Sequence, residues 1–568
     1  MGVTTIKSDT FATNIAYLSE SNPRLGLQLQ LESMRKKSAP GALFAPRKKS
    51  VAAIDVLYLF GWEGGKSAPM LLQWLRDQPH RMLILLARDL ARLAAALENP
   101  CWTSLLSDQR VTCCLPDEAL HATIWDALHR QSRFVNLAVA KTDWAREGER
   151  CRQLILEFEW EAESALAATR DFGVRAFENL CCNLLQVTEL IEAKSLWNQF
   201  ARMPAVICGA GPSLDEEINV LKTLGGRALI IAAGSAIHCL ERQGIEPHFG
   251  VALDPDLPPE RMRRQQSFGV PFFYQQQLSQ ELFSLLQGET VAAFGSAASG
   301  LQREFLTRLG LAAAPFEAGW NAVTFASHIA YCLGCAPLVF VGIDGCVSDG
   351  RTYAEKAAYP DEQVRWQRVD AIACVDRENR PAWSRPDFLL GKKWLESFAQ
   401  NHPECQLINA SGKGLAFAGL FNRPLSELAE TFFALESDVK GKVQCALAIA
   451  ERKKVEKKQV IAQIKCVSQS ALRCTACCAE ILNGYRKQQA SARACALVAS
   501  IELEEEFFWQ TVLAPLWEIW RHVIQRKETV QNMTNIAAET AIQQALFAQR
   551  VCSDYERAFT RLLKEDKL

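Results

Sequence analysis

The six residues Gly209-Ala210-Gly211-Pro212-Ser213-Leu214 have the types and spacing of an anion-binding turn. The apolar run Ala205-Val206-Ile207-Cys208 precedes them and predicts a buried strand. Asp215 to Leu221 follows and predicts a helix. A strand, a glycine turn and a helix start aim backbone N–H groups and a positive dipole end at one point. Gly209 and Gly211 let the backbone turn sharply and come close to a phosphate. Pro212 suits a first helical turn, where its missing N–H costs nothing, and Ser213 adds a hydroxyl. Leu214 stands where a dinucleotide fingerprint has its third glycine, so the turn predicts a nucleotide-phosphate cradle that is not one for NAD. Asp215, Glu216 and Glu217 suit the helix dipole and would repel a phosphate if they pointed inward.

Other strand ends carry chemistry of their own. Ser235 ends the predicted strand Ala228–Ala233, placed to bond a ligand or to cap the next helix. Asp254 stands where Phe249–Leu253 stops, as a carboxylate facing a ligand or as a turn residue before Pro255. Asp344 ends the run that begins at Leu338, as an acid–base group or a helix cap, and Tyr353 follows on the next loop. Ligands of α/β folds gather at the carboxyl ends of the strands, where all of these residues fall.

The elements that position them divide the chain into four parts. Residues 1–50 read as an N-terminal entry segment and linker with basic clusters at Arg35-Lys36-Lys37 and Arg47-Lys48-Lys49. Residues 51–195 read as a first α/β domain, with strands at Ile54–Phe60, Met82–Leu86 and Val111–Leu115. Gly64-Gly65-Lys66-Ser67 after its first strand lacks the earlier glycine of an ATPase P-loop, because Phe60 holds that place. The alternating stretch Glu157–Glu161 is read as helix from its flanks. Residues 196–424 read as a central Rossmann-like domain, with further strands at Pro271–Tyr274, Val291–Phe294 and Gln406–Ile408. Residues 425–568, poor in Gly and Pro, repeat apolar residues at helical spacing and predict a helical bundle whose aromatics, including Phe508, Trp509, Trp517 and Trp520, are core. The fold class is therefore α/β: two Rossmann-like doubly wound units followed by a C-terminal helical bundle.

Composition narrows the partners. The chain has 568 residues, room for about three or four domains, and 49% of them are hydrophobic. Its formal net charge of −1 provides no field to recruit nucleic acid or a membrane surface. No apolar run reaches the ~18–20 residues of a membrane helix. The 20 cysteines are scattered and follow no apolar leader, which predicts a reduced, cytoplasmic setting. Cys332/Cys335 and Cys474/Cys477 have metal-ligand spacing but sit in helix-like apolar patterns, and no metal site is expected from them.

Val206 to Leu214 resembles the opening of the single-domain bacterial sialyltransferases, a strand followed by Gly-Asn-Gly-Pro-Ser-Leu. Gly342-Ile343-Asp344, with Gly350 and Tyr353-Ala354, resembles their later Gly-Ile-Asp…Gly…Tyr-Ala block. The same signature belongs to the MptE-like pterin pyrophosphokinases and to the Maf family, motility accessory factors that glycosylate flagellin with nonulosonic acids. The wider match is to Maf, through Asn14–Leu18 with Asn22-Pro23, Phe60–Gly64, and Asn409-Ala410-Ser411-Gly412-Lys413-Gly414. By this resemblance Gly209, Gly211, Pro212 and Ser213 form the cradle of a CMP phosphate. Ser235 and Asp254 fall where the sialyltransferases place asparagines on the nucleotide, and Tyr353 falls on a tyrosine that supports the leaving phosphate. The chain departs from the pattern in three places. Ala210 replaces the asparagine of Gly-Asn-Gly, Gly345–Ser348 offers no second tyrosine, and the general-base histidine has no counterpart beyond His402, which matches no motif.

The resemblance implies a Maf-type glycosyltransferase that moves a nonulosonic acid from a CMP-sugar donor to a Ser or Thr hydroxyl of a flagellin-like or other surface protein. It requires no cofactor or metal. Asp344 or Asp254 would orient or deprotonate the acceptor, and Tyr353 would stabilise the departing phosphate. A pterin pyrophosphokinase is the alternative enzyme. It would need Mg²⁺, with Asp254, Asp256 and Asp344 as oxygen ligands. A non-catalytic nucleotide-binding scaffold is the third reading.

Overall fold

The computed structural model describes residues 2–21, 25, 27–29, 56–60, 62, 67–78, 81–116, 151, 154–157, 160–161, 173–256, 269–295, 299–311, 317, 319–347, 350–355, 372–433, 436–487, 489–518 and 536–564. The basic clusters at 35–37 and 47–49, most of the glycine turn at 61–66, and Trp520 lie outside the described residues. The chain divides into two compact units, one of residues 1–167 with 515–544 and the other of residues 168–514 with 545–568.

In the first unit β1 (Val56–Phe60), β2 (Met82–Leu86) and β3 (Val111–Cys114) form a parallel sheet in that order. β1 and β2 are buried along their whole length, which is why they read as unbroken apolar runs. The helix Gly2–Ser21 is part of this unit, not a linker. Its Ile15 and Leu18 share a core with Leu93, Leu97 and Trp102, and Asn14 Nδ2 donates to the Leu97 carbonyl at 2.8 Å.

The second unit is built on a ten-stranded sheet. Its strands are β4 (Glu189–Glu192), β5 (Ala205–Cys208), β6 (Leu229–Ala233), β7 (Phe249–Ala252), β8 (Phe272–Tyr274), β9 (Thr290–Ala292), β10 (Leu338–Val341), β13 (Leu407–Asn409), β14 (Phe421–Asn422) and β15 (Arg452–Lys454). A separate hairpin pairs β11 (Ile372–Val375) with β12 (Pro381–Ser384). The sheet order is β14-β13-β10-β5-β6-β7-β8-β9-β4-β15, and only β15 runs antiparallel to its neighbour. From β5 the chain winds outward through β6, β7, β8 and β9, then returns to lay β10 on the other flank of β5. The winding direction thus reverses between β5 and β10, and the crevice outside their carboxyl ends is where such sheets bind ligands.

Beneath this crevice lies the helix Ala322–Cys332. Its Phe325, Ala326 and Ile329 are buried in one cluster with Ile207, Ile231, Val251 and Phe340 of the sheet. The two ends of the sheet differ from the expected domain limits. β4 lies before residue 196, and β15 comes from the stretch assigned to the bundle. β4 carries only two apolar residues between glutamates, and β15 is Arg-Lys-Lys, a charged edge strand of the kind that deters further pairing. The helices Lys457–Arg486 and Ala490–Glu505 pack along each other after it. Phe508, Trp509 and Trp517 are buried, as core aromatics should be. No helix among the described residues is long and apolar enough to cross a membrane.

Candidate functional site

The loops that leave β5 and β10 run side by side, because Cys208 and Val341 are partners in the ladder. Gly209 N–H donates to the Val341 carbonyl and Gly211 N–H to the Gly342 carbonyl, both at 2.8 Å. Ser213 N–H donates to Asp344 Oδ2 at 2.9 Å. The approach leaves no room for side chains. A Cβ on Gly209 would stand 2.4 Å from the Gly342 carbonyl oxygen, and one on Gly211 would stand 2.2 Å from Asp344 Oδ2. Gly342 also needs its positive φ of 66°. These glycines therefore serve the contact between two loops. The N–H groups expected to cradle a phosphate donate within the protein, and the Asp344 carboxylate holds the place an anion would take.

A third loop closes the arrangement. Ser411 Oγ accepts the Ile343 N–H at 3.1 Å, and the Asp344 carbonyl accepts the Leu415 N–H at 2.8 Å. Two of the three acidic residues after the turn are engaged within the protein. Asp215 Oδ2 accepts the Glu355 N–H at 2.9 Å, and Glu216 pairs with Lys413 at 3.1 Å. Burial and the neighbouring Glu216 raise the proton affinity of Glu217. Asp344 is only 4% exposed, and its Oδ1 is buried without a partner. Burial pushes its pKa up to about 6, against the opposing pull of Ser213.

A cleft of about 320 Å³ opens over this lock. Gly209, Gly211, Ser235, Asp254, Asp344 and Tyr353 all line it, whereas Pro212 and Ser213 do not. Ser235 precedes the helix Ala236–Arg242 yet its hydroxyl makes no capping bond, so the capping alternative fails. Asp254 is exposed at the end of β7, while its carbonyl accepts the Ser279 N–H at 2.9 Å. Tyr353 is held at the rim because the next residue, Ala354, donates its N–H to the Ala210 carbonyl at 2.9 Å.

Several lining residues had no place in the sequence reading. Asn321 caps the helix Ala322–Cys332 and accepts from the Val323 and Thr324 N–H groups at 3.0 and 3.1 Å, so the positive end of this helix borders the cleft. The reciprocal bond from Asn321 N–H to Thr324 Oγ1 at 3.0 Å makes a capping box, and an Asn-x-x-Thr signal was there to be read. The helix Pro386–Asn401 supplies Phe388, Gly391, Lys392 and Leu395 along one face, with Arg385 just before it. Gly391 lets that helix close on Asn321, since a Cβ there would meet Asn321 Nδ2 at 2.3 Å. Arg385 pairs with Asp387 and Lys392 with Glu396. His402 is not among the lining residues. Its ring lies 4.3 Å from that of Tyr331 and 4.4 Å from that of Phe398, in a surface aromatic cluster. Nor do the described residues bring three carboxylates together as a metal site; Asp256 is paired with Arg175.

The arrangement can hold an anionic, hydroxyl-rich ligand between a helix N-terminus with two cations nearby and a tyrosine, beside two carboxylates, the exposed Asp254 and the Asp387 that pairs with Arg385. Comparison with known proteins bears on the family and the fold. The family model of 6-hydroxymethylpterin diphosphokinase MptE-like proteins matches residues 178–350, which end within the Gly342–Tyr353 block. No curated protein matches the sequence. A solved structure, that of MAf glycosyltransferase from Magnetospirillum magneticum AMB-1, superposes with a TM-score of 0.57 at 13% identity, over 98% of this chain and 97% of that one. The chain thus has an MptE-like region at its centre and, along nearly its whole length, the fold of a Maf glycosyltransferase.

Proposed function

We propose that this protein is a glycosyltransferase of Maf type that moves a nonulosonic acid from a CMP donor to a Ser or Thr hydroxyl of a protein acceptor. One observation carries the reading. Six residues singled out by chemistry, from five separate segments of the chain, line a single cleft at the switch point of the sheet. In this reading Ser235 bonds the nucleotide. Tyr353 and the Asn321 helix end face the leaving phosphate, whose charge grows in the transition state. Arg385 and Lys392 balance the remaining negative charge of the donor. Asp254, the exposed carboxylate, takes the acceptor proton. Asp344, buried and bonded to Ser213, is a positioning residue that holds the loops. Holding donor and acceptor together contributes a large share of the rate.

The MptE-like match supports a second reading, pyrophosphoryl transfer from ATP to a pterin. Its proposed Mg²⁺ ligands fit poorly, because Asp256 faces Arg175 and Asp344 faces Ser213. A thermal-shift panel separates the readings. CMP and CMP-nonulosonates should raise the melting temperature without metal, and a mixed donor–acceptor reaction should release CMP and add the sugar mass to the acceptor. A shift with ATP and Mg²⁺ alone would move the assignment to the second reading. No turnover with either donor class would leave the scaffold.

A further inference from the structure

The helix Ala490–Glu505 is apolar on two opposite sides. Its inner side carries Ala496, Ala499 and Leu503, which are buried where it packs along Lys457–Arg486. The two helices approach closely, since a Cβ at Gly484 would stand 2.6 Å from that of Ala496. The outer side carries Ala494, Leu497, Val498 and Ile501, all exposed. Leu497, Val498 and Ile501 are 60, 55 and 62% exposed. A lone exposed apolar residue is ordinary, but a helix covered on one side only should be polar on the other.

The charges of this helix run against its own dipole. Arg493 stands in its first turn, and Glu502, Glu504 and Glu505 stand in its last, with no acid at the start and no base at the end. An isolated helix favours the reverse. Arg486 and Lys487, just before it, add to the positive end. Arg473, which lines the same groove as Glu502 and Glu505, is already paired with Glu506 at 2.6 Å. Arg493 and Glu504 are exposed and have no ion-pair partner among the described residues.

A second copy laid antiparallel across a two-fold axis answers both features. Arg493 and Glu504 are eleven positions apart, three turns, so they share one flank of the helix. The centre of Leu497, Val498 and Ile501 falls midway between them. In a two-fold antiparallel pair like flanks meet, which sets Arg493 of each copy beside the partner's Glu504 while the apolar faces cover each other. The two dipoles then also oppose, and the basic start of each helix lies along the acidic end of the other. We propose that this face is a homodimer interface, self-complementary about the middle of the helix. A patch of a few side chains per copy makes a weak dimer, with a Kd on the order of 10⁻⁵ M.

Sedimentation velocity of the full chain from about 1 to 200 µM, a range that spans this constant, tests the proposal. The parent should pass from monomer to dimer. Ile501→Lys puts a charge in the apolar centre, and a lysine near the end of a helix suits its dipole, so this variant should keep its helical circular dichroism and stay monomeric. Arg493→Glu or Glu504→Arg alone should weaken the dimer about tenfold or more, because each contact occurs twice and turns repulsive. The two reversals together should restore it to within about threefold of the parent, since each new charge again faces its opposite. A parent that stays monomeric throughout overturns the proposal, and so does a dimer that Ile501→Lys leaves intact. Single reversals that dimerise like the parent, or a double variant no tighter than the single ones, overturn the two-fold pairing of Arg493 with Glu504 and the proposal with it. None of these outcomes depends on the glycosyl-transfer reading.

Discussion

The Asp344→Asn substitution tests whether the loop lock carries a buried charge. Burial has moved this carboxyl from an ordinary 3.8 to about 6, so the folded protein binds its proton more tightly than the unfolded chain does. The sign follows from linkage. A raised carboxyl pKa stabilises the fold below it, and that contribution fades as the pH rises through 6. Between pH 7.5 and 4.5 the parent should gain about 2 kcal/mol from this group, because each tenfold gain in proton affinity on folding is worth about 1.4 kcal/mol and the window spans most of the change. The asparagine variant titrates nothing here. Its carboxamide oxygen can still accept from Ser213, while its NH₂ faces the space of the unpartnered Oδ1, so a constant offset of about 1–3 kcal/mol is expected as well. The offset cancels in the comparison. Urea unfolding of both proteins across the window measures the difference in stability, whose pH slope is the quantity sought. A flat difference, or one in which the parent gains relative stability as the pH rises, would refute the buried-charge argument. Turnover supplies an independent check on the same variant. A positioning residue predicts activity within about tenfold of the parent, whereas loss of a general base predicts about 10²–10⁴ at every pH.

Gly211→Ala should destabilise the protein by about 1–3 kcal/mol or prevent folding, whereas Gly225→Ala, whose Cβ meets nothing, should leave the melting temperature within a degree or two; equal effects would remove the steric argument. Asp254→Asn should lower turnover about 10²–10⁴ with donor affinity retained, and full activity would reduce Asp254 to a nucleotide contact. Tyr353→Phe keeps the ring and removes one donor, so kcat should fall about 10²–10³ at nearly constant donor KM; an unchanged kcat would place the leaving phosphate elsewhere. His402→Ala should leave transfer at the parent rate, and a large loss would reinstate the histidine as a base.

Much of the fold was legible because parallel strands buried on both faces are continuous apolar runs. The strands Ala205–Cys208, Leu229–Ala233 and Leu338–Val341 stand out for that reason, and β1 and β2 do in the first unit. The elements that were missed lack that signal. β14 is two exposed residues, β15 is entirely basic, and in the short β11–β12 hairpin β11 alternates half-buried and exposed positions while β12 alternates buried and exposed ones. The strand character of β14 and β15 comes from a neighbour's unpaired backbone and not from their own side chains. The cleft lining was legible where a reactive side chain stood at a strand end, as with Ser235 and Asp254. It was not legible where a helix delivers residues from one side, as with Asn321 and Phe388. No strand end announces those, and their placement depends on Gly391 admitting one helix to another.

The glycine signature has a meaning that spacing alone does not convey. Gly-x-Gly-Pro-Ser after β5 and Gly-Ile-Asp after β10 are complementary halves of one contact. Gly211 makes room for Asp344, Gly342 makes room for Gly209, and Ser213 answers the carboxylate. The contact fixes where two adjacent strands end, and with it the floor of the cleft. Within the first half, Gly209 and Gly211 are constrained by this packing. Ala210, which also lines the cleft, is tied to the lock through its carbonyl, which accepts the Ala354 N–H. Position 210 can therefore change its side chain without disturbing the loops, and this is the position at which the chain departs from the asparagine of the sialyltransferase pattern. A floor held by the flanking glycines and a ligand-facing residue between them separate stability from specificity within three consecutive residues. One signature can then serve enzymes with different donors, which is why the motif by itself identifies the crevice and leaves the substrate to the walls around it.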